Sequence, residues 1–150
     1  MSEPVYYYST QIEWAKRHRG LLQAPGFPDL TVSPPPEFKG EAGFWTPEHL
    51  FVAAAESCLM ATFLGIAENS RLTVAGYRST ADGKLEKAAG AGLRFTEITI
   101  APVVELESPE DRERAERVMA KAAQGCLVAN SMALAMRVEP KFVVRIPVAA

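Results

Sequence analysis

The longest hydrophobic stretch of the chain, residues 47–68, is apolar nearly all the way round a helical repeat, the pattern of a helix enclosed by other elements. Thr46 supplies a cap for its start and Pro47 fits the first helical position, where a missing amide hydrogen costs nothing. Asn69 and Ser70 end it. The weakly polar run 50–67 is interrupted by Glu56 and rich in Ala, which suits a buried helix better than a membrane span. Upstream, residues 5–14 carry β-formers, and 29–33 lead into Pro34, Pro35 and Pro36, which forbid a helix there. Residues 40–45 form a loop. Downstream, residues 72–79 and 92–104 alternate apolar with polar, and Asp82 and Gly83 supply turn chemistry between them, so a β-hairpin is predicted. Ser108, Pro109, Glu110 and Asp111 announce a second helix by cap, proline and first-turn acids. It is charged through Arg117 and apolar near Val118 and Met119, so one end is solvated and the other approaches the core near Cys126. Gly125 breaks it before a short third helix. Residues 137–148 return to strand character through Phe142, Val143, Val144 and Ile146. The order reads as α+β with helices on antiparallel sheets, in a single domain over 1–150 with no repeat and no linker.

Composition narrows what such a domain does. With 150 residues and 48% hydrophobic content, the chain can bury one good core. A formal charge of −2 provides no basic field for nucleic acid or an anionic membrane surface, so neither is an expected partner. Residues 1–8 lack the basic start and apolar run of a secretory signal, and a cytoplasmic location is expected. The two cysteines and two histidines match none of the ligand spacings of a finger or ribbon zinc site, so no metal is expected, and no cofactor is called for. In a reducing compartment the two cysteines are packed thiols or thiols that cycle.

Cys58 lies inside the long helix, where a cysteine is most often an inert small hydrophobe. Cys126 follows a helix break, where a thiol can be presented to a neighbour. If their Cα atoms approach within about 7 Å, oxidation of one to a sulfenic acid lets the other close a disulfide. A reactive thiolate within a helix gains nothing from that helix's own dipole and needs a cation nearby. Arg17 and Arg19, in the segment Trp14 to Gly20, are the candidates, with a solvated basic turn as the plain alternative. An arginine also suits a peroxide, because its fork of donors stabilises charge developing on oxygen. Glu48 is the natural carboxylate to fix such an arginine. It precedes Cys58 by about 15 Å of helix, so if both serve one site, two chains must interleave.

Several fragments resemble the OsmC/Ohr family of thiol peroxidases: residues 35–40 (Pro, Pro, Glu, Phe, Lys, Gly), residues 45–54 from Trp45 through the Thr-Pro-Glu helix start, Ser57 with Cys58, and residues 126–131. The resemblance implies an OsmC-like α+β fold, with antiparallel sheets wrapped around long central helices in an intertwined homodimer. It implies Cys58 as peroxidatic cysteine, Cys126 as resolving cysteine, Glu48 as the acid that holds the active-site arginine, and a dithiol or lipoyl-type reductant. The family's Gly-Gly-Arg turn is replaced by Ala15, Lys16 and Arg17. Counting back from Gly26 without a gap places Arg17 at the arginine's position, whereas Arg19 requires a shift of two residues. The histidine often found shortly before the second cysteine is replaced by Gln124 and Gly125. The expected substrate is an alkyl or lipid hydroperoxide, in a pocket formed by Phe44, Trp45, Phe51 and Met132 with Arg19. Two rival readings stand beside this one: a non-enzymatic binding dimer with inert cysteines, and a hotdog-type thioesterase that needs neither cysteine.

Overall fold

The structure is a computed structural model that describes residues 2–146, so residues 147 and 148 of the predicted last strand lie outside it. The chain clusters into two compact units, residues 1–51 and 52–150.

The first unit is built on a three-stranded antiparallel sheet, β1 (Gln11–Lys16), β2 (Arg19–Gln23) and β3 (Leu30–Val32), in that order. The predicted extended opening is therefore strand only from Gln11 onward. Arg17 and His18 make the hairpin turn, with Arg17 at φ 54. After β3 the triple proline gives a single 3-10 turn, Pro36–Phe38. Gly40 follows, and a Cβ there would lie 1.5 Å from the Pro34 carbonyl oxygen, so no side chain fits. The helix α1 (Pro47–Asn69) starts where its cap predicts: the His49 amide donates to Thr46 Oγ1 at 2.9 Å.

The second unit holds the rest of α1 and a four-stranded sheet. Strands β4 (Val74–Lys87) and β5 (Leu93–Leu106) form a long antiparallel hairpin. Asp82 and Gly83 do not turn the chain, contrary to the sequence expectation; they lie inside β4, paired with Thr99 and Ile98. A Cβ on Gly83 would come within 2.4 Å of Val52 and 3.0 Å of Phe95, so the glycine admits close packing. The turn falls instead at residues 88–92, where Gly90 takes φ 75. The predicted single C-terminal strand is two short ones, β6 (Ala135–Val138) and β7 (Lys141–Val144), separated at Glu139 and Pro140. Both run parallel to β5, along Glu97–Ile100 and Val103–Leu106 respectively. Pro102 falls in the gap between those pairings, where its missing amide hydrogen interrupts neither ladder.

The core of this unit follows from two periodicities. Alternate residues of β5, namely Ile98, Ile100, Pro102, Val104 and Leu106, are sealed from solvent. On α1 the buried residues Ala55, Leu59, Phe63 and Ala67 recur every fourth position, and the Phe63 ring lies 5.7 Å from Tyr77 of β4. The Tyr77 hydroxyl is buried without a hydrogen-bond partner; burial, then the charge of Glu56, pushes its pKa up to about 12. The all-round enclosure predicted for α1 is not met within one chain, since Met60 and Leu64 on another face are each 38% exposed. α1 is long and apolar enough to cross a membrane, and only 22% of its apolar window, the stripe of Ala55, Leu59, Phe63 and Ala67, is buried within this chain. Helix α2 (Arg112–Gly125) buries Ala115, Val118, Met119 and Ala122 and exposes its charged side, and α3 (Leu127–Asn130) follows.

Candidate functional site

Cys126 is the hinge between α2 and α3. Its ψ of 99 takes the backbone out of the helical region after Gly125, and α3 then restarts at Leu127. This break turns the first amides of α3 toward α1, because amides at a helix start have no partner within their own helix. Cys126 is fully buried, with its sulfur 3.9 Å from the Ala55 carbonyl oxygen. Cys58, one turn further along α1, is half-buried, and its sulfur lies 3.9 Å from Thr62 Oγ1. The Cys58 carbonyl oxygen, at 2.8 Å, is the other acceptor open to the same Thr62 proton. Both cysteines are free thiols and interact directly with one another.

The two thiols are unequal. Burial works against the Cys58 thiolate, but hydrogen bonds from the Val128 amide, the Cys126 thiol, Thr62 and the Leu127 amide outweigh it and hold the thiol below its usual pKa. Cys126 is pushed up, first by burial and then by Cys58, against opposing bonds from the Ala129 and Val128 amides. One sulfur is thus prepared to be a thiolate and the other to remain protonated and donate to it. Alkylation kinetics will read this directly. Only the thiolate reacts, so lowering the pKa shifts the rate midpoint to lower pH; Cys58 is expected to titrate below the value of an ordinary thiol measured under the same conditions. Iodoacetamide labelling resolved by peptide mass checks it, and a midpoint at or above that value contradicts the assignment.

The first unit holds the other predicted residues. Arg17 is exposed in the β1–β2 turn, its carbonyl accepting from Trp14 Nε1 at 2.7 Å, and it has no ion pair among the described residues. Arg19 is the enclosed arginine: its Nε lies 3.4 Å from Glu41 Oε1, and its guanidinium sits 5.2 Å above the centre of the Phe44 ring. Glu48, the carboxylate expected to hold the active-site arginine, has its Oε2 buried with no hydrogen bond among the described residues. Phe44 and Trp45 line a concavity of about 300 Å³ with Gly43 and His49. Phe51 is half-buried at the end of this unit, and Met132 is half-buried in the second, after α3. Sequence reasoning missed Thr62, the Leu127 and Val128 amides, Glu41 and His49. Thr62 was accessible as the residue four beyond Cys58, and the amides from the helix restart after Gly125.

The family described as OsmC-like protein matches residues 40–141. No curated protein sequence matches the chain. Among solved structures, an OsmC-like protein of unknown function from Vibrio cholerae is 24% identical, with a TM-score of 0.84 over 91% of this chain and 99% of that one. An organic hydroperoxide resistance protein from Legionella pneumophila is 20% identical, with a TM-score of 0.70 over 96% and 100%. One from Elizabethkingia anophelis is 16% identical, with a TM-score of 0.74 over 96% and 100%. At these identities the likeness is one of fold.

Proposed function

The chain belongs to the OsmC-like protein family, and on that premise we propose that it is a thiol-dependent peroxidase acting on alkyl or lipid hydroperoxides. The observation that carries this reading is the placement of two free thiols against one stretch of α1: Cys58 on the helix itself, its sulfur 3.9 Å from Thr62 Oγ1, and Cys126 buried 3.9 Å from the Ala55 carbonyl oxygen one turn away, with the first held toward thiolate and the second toward thiol. The Cys58 thiolate attacks the distal oxygen of the hydroperoxide, the O–O bond breaks, and the leaving alkoxide takes a proton to become the alcohol. Cys58 is left as a sulfenic acid. Cys126 sulfur then attacks it, the S–S bond forms, and the hydroxyl leaves as water with the Cys126 proton. A dithiol, of which a lipoyl group is one example, reopens the disulfide and is itself oxidised.

In this reading an arginine, Arg17 or Arg19, stabilises the negative charge on the breaking peroxide, with Glu48 as its acid partner. Phe44, Trp45, Phe51 and Met132 provide an apolar lining that favours organic peroxides over hydrogen peroxide. Two relatives of the same fold bear the description organic hydroperoxide resistance protein. A second copy of the chain completes the assembly, which the exposed Met60 and Leu64 on α1 and the 78% exposed Trp14 on β1 support. The enzyme works in the cytoplasm, with no nucleic acid, membrane or cofactor.

The test is consumption of cumene hydroperoxide in the presence of dihydrolipoamide. Multiple turnovers are expected, at a rate well above that with hydrogen peroxide. No consumption above the rate of free dithiol overturns the reading in favour of a non-enzymatic binding protein.

A further inference from the structure

The break that carries Cys126 is braced by a side chain to which the chemistry above gives no part. Where the backbone leaves the helical region at Cys126 (ψ 99), the ladder of α2 stops, and the last carbonyls of that helix need donors from elsewhere. Asn130, the last residue of α3, supplies one. Its side-chain Nδ2 donates to the Gln124 carbonyl at 2.9 Å, and its backbone amide donates to the Cys126 carbonyl, also at 2.9 Å. A carbonyl only accepts, so it is the amino end of the side chain that faces Gln124. The two bonds fall on either side of Gly125, and one residue thereby fixes the angle at which α3 leaves α2.

That angle decides where the second sulfur sits, because the break crosses α1 at Cys58. The Cys126 sulfur lies 3.9 Å from the Ala55 carbonyl oxygen, about one turn before Cys58. A Cβ on Gly125 would lie 4.0 Å from the Thr62 methyl, about one turn after it. Ser131 offers the contrast. Its hydroxyl donates to the Leu127 carbonyl at 2.8 Å, an equally exposed bond that begins and ends beyond the break.

We infer that Asn130 is a positioning residue for disulfide closure: by bracing the break at Gly125 and Cys126, it holds the Cys126 sulfur within reach of Cys58. The use of this clasp rests on the peroxidase reading above, in which Cys126 resolves the oxidised Cys58. Asn130 acts through Cys126 and takes no part in the attack on peroxide.

The experiment follows closure in the full-length reduced protein with diamide, a thiol oxidant that needs no peroxide. The Cys58 thiolate adds to the N=N bond, the Cys126 sulfur displaces the adduct, the S–S bond forms, and the oxidant leaves as the hydrazine with two protons. At diamide concentrations where the rate no longer rises, the step measured is closure, read by mass as adduct turning into disulfide. Asn130→Asp keeps the shape of the side chain and removes its donor; closure is expected to slow roughly fivefold, within what one lost hydrogen bond allows. Asn130→Ala is expected to slow it similarly, which separates loss of the donor from the new charge. Ser131→Ala, whose lost bond does not cross the break, is expected to close at the wild-type rate. Asn130 and Ser131 are both exposed, so each variant leaves the buried core as it is. Closure at or above the wild-type rate in the two Asn130 variants, or an equal loss in Ser131→Ala, overturns the assignment. A wild-type protein that closes with diamide but consumes no cumene hydroperoxide defeats the peroxidase reading, while the variants still decide the clasp.

Discussion

Cys58→Ser is expected to lower peroxide consumption by roughly a thousandfold or more, the scale seen when a nucleophile is removed. A serine hydroxyl does not ionise near neutral pH, so the amides of Leu127 and Val128 and the thiol of Cys126 would surround a neutral group instead of a thiolate. Cys126→Ser is expected to behave differently. The first turnover proceeds, because Cys58 still carries the attack, but its sulfenic acid has no thiol to close on. A second peroxide then carries it to the sulfinic acid. The pair of variants therefore separates attack from resolution: one shows no oxygen transfer, the other a single burst followed by an overoxidised Cys58 peptide. Equal loss of the burst in both variants contradicts the division of roles. Full activity without Cys58 points to chemistry of another kind, such as a thioesterase.

Phe63→Ala is expected to produce the largest loss of stability among single core changes, about 3–5 kcal/mol. Phe63 is completely buried in the α1 stripe between Leu59 and Ala67, and its ring is tilted at 41° against Tyr77. Truncation removes both the transfer energy of the ring and its packing, and leaves a cavity beside the Tyr77 ring. At about 2–4 °C per kcal/mol for a chain of this size, Tm should fall by roughly 10 °C. Chemical unfolding at fixed protein concentration checks it, through a lower midpoint at unchanged slope. A loss under about 1 kcal/mol would show that this part of the core is loosely packed.

What the sequence reveals of the fold is what local chemistry decides. Thr46 and Pro47 place the start of α1 because capping is an interaction between residues three apart, and Ser108, accepting from the Glu110 amide two residues on, starts the 3-10 turn Pro109–Asp111 that leads into α2. Asp82 and Gly83 mislead because a glycine that admits a neighbouring side chain has the same identity as a glycine that turns the chain. The division of the C-terminal strand depends on how β6 and β7 share β5, which is a long-range pairing. The two sulfurs were legible as a candidate pair, whereas the source of thiolate stabilisation was not. A cation was expected, but the stabilising groups found are two main-chain amides, of Val128 and Leu127, and the neutral side chains of Cys126 and Thr62; the amides are carried by every residue and announced by no residue name. The contacts of Arg19 with Glu41 and Phe44 were likewise not legible, because they form only after three strands have folded.

The most direct measurement is peptide mass mapping after one equivalent of cumene hydroperoxide is added to the reduced protein. Peptides containing Cys58 and Cys126 are expected to appear joined by a disulfide within one chain, with the loss of both free thiols. Two unmodified thiols, or an oxidised Cys58 with Cys126 still free, would contradict the account.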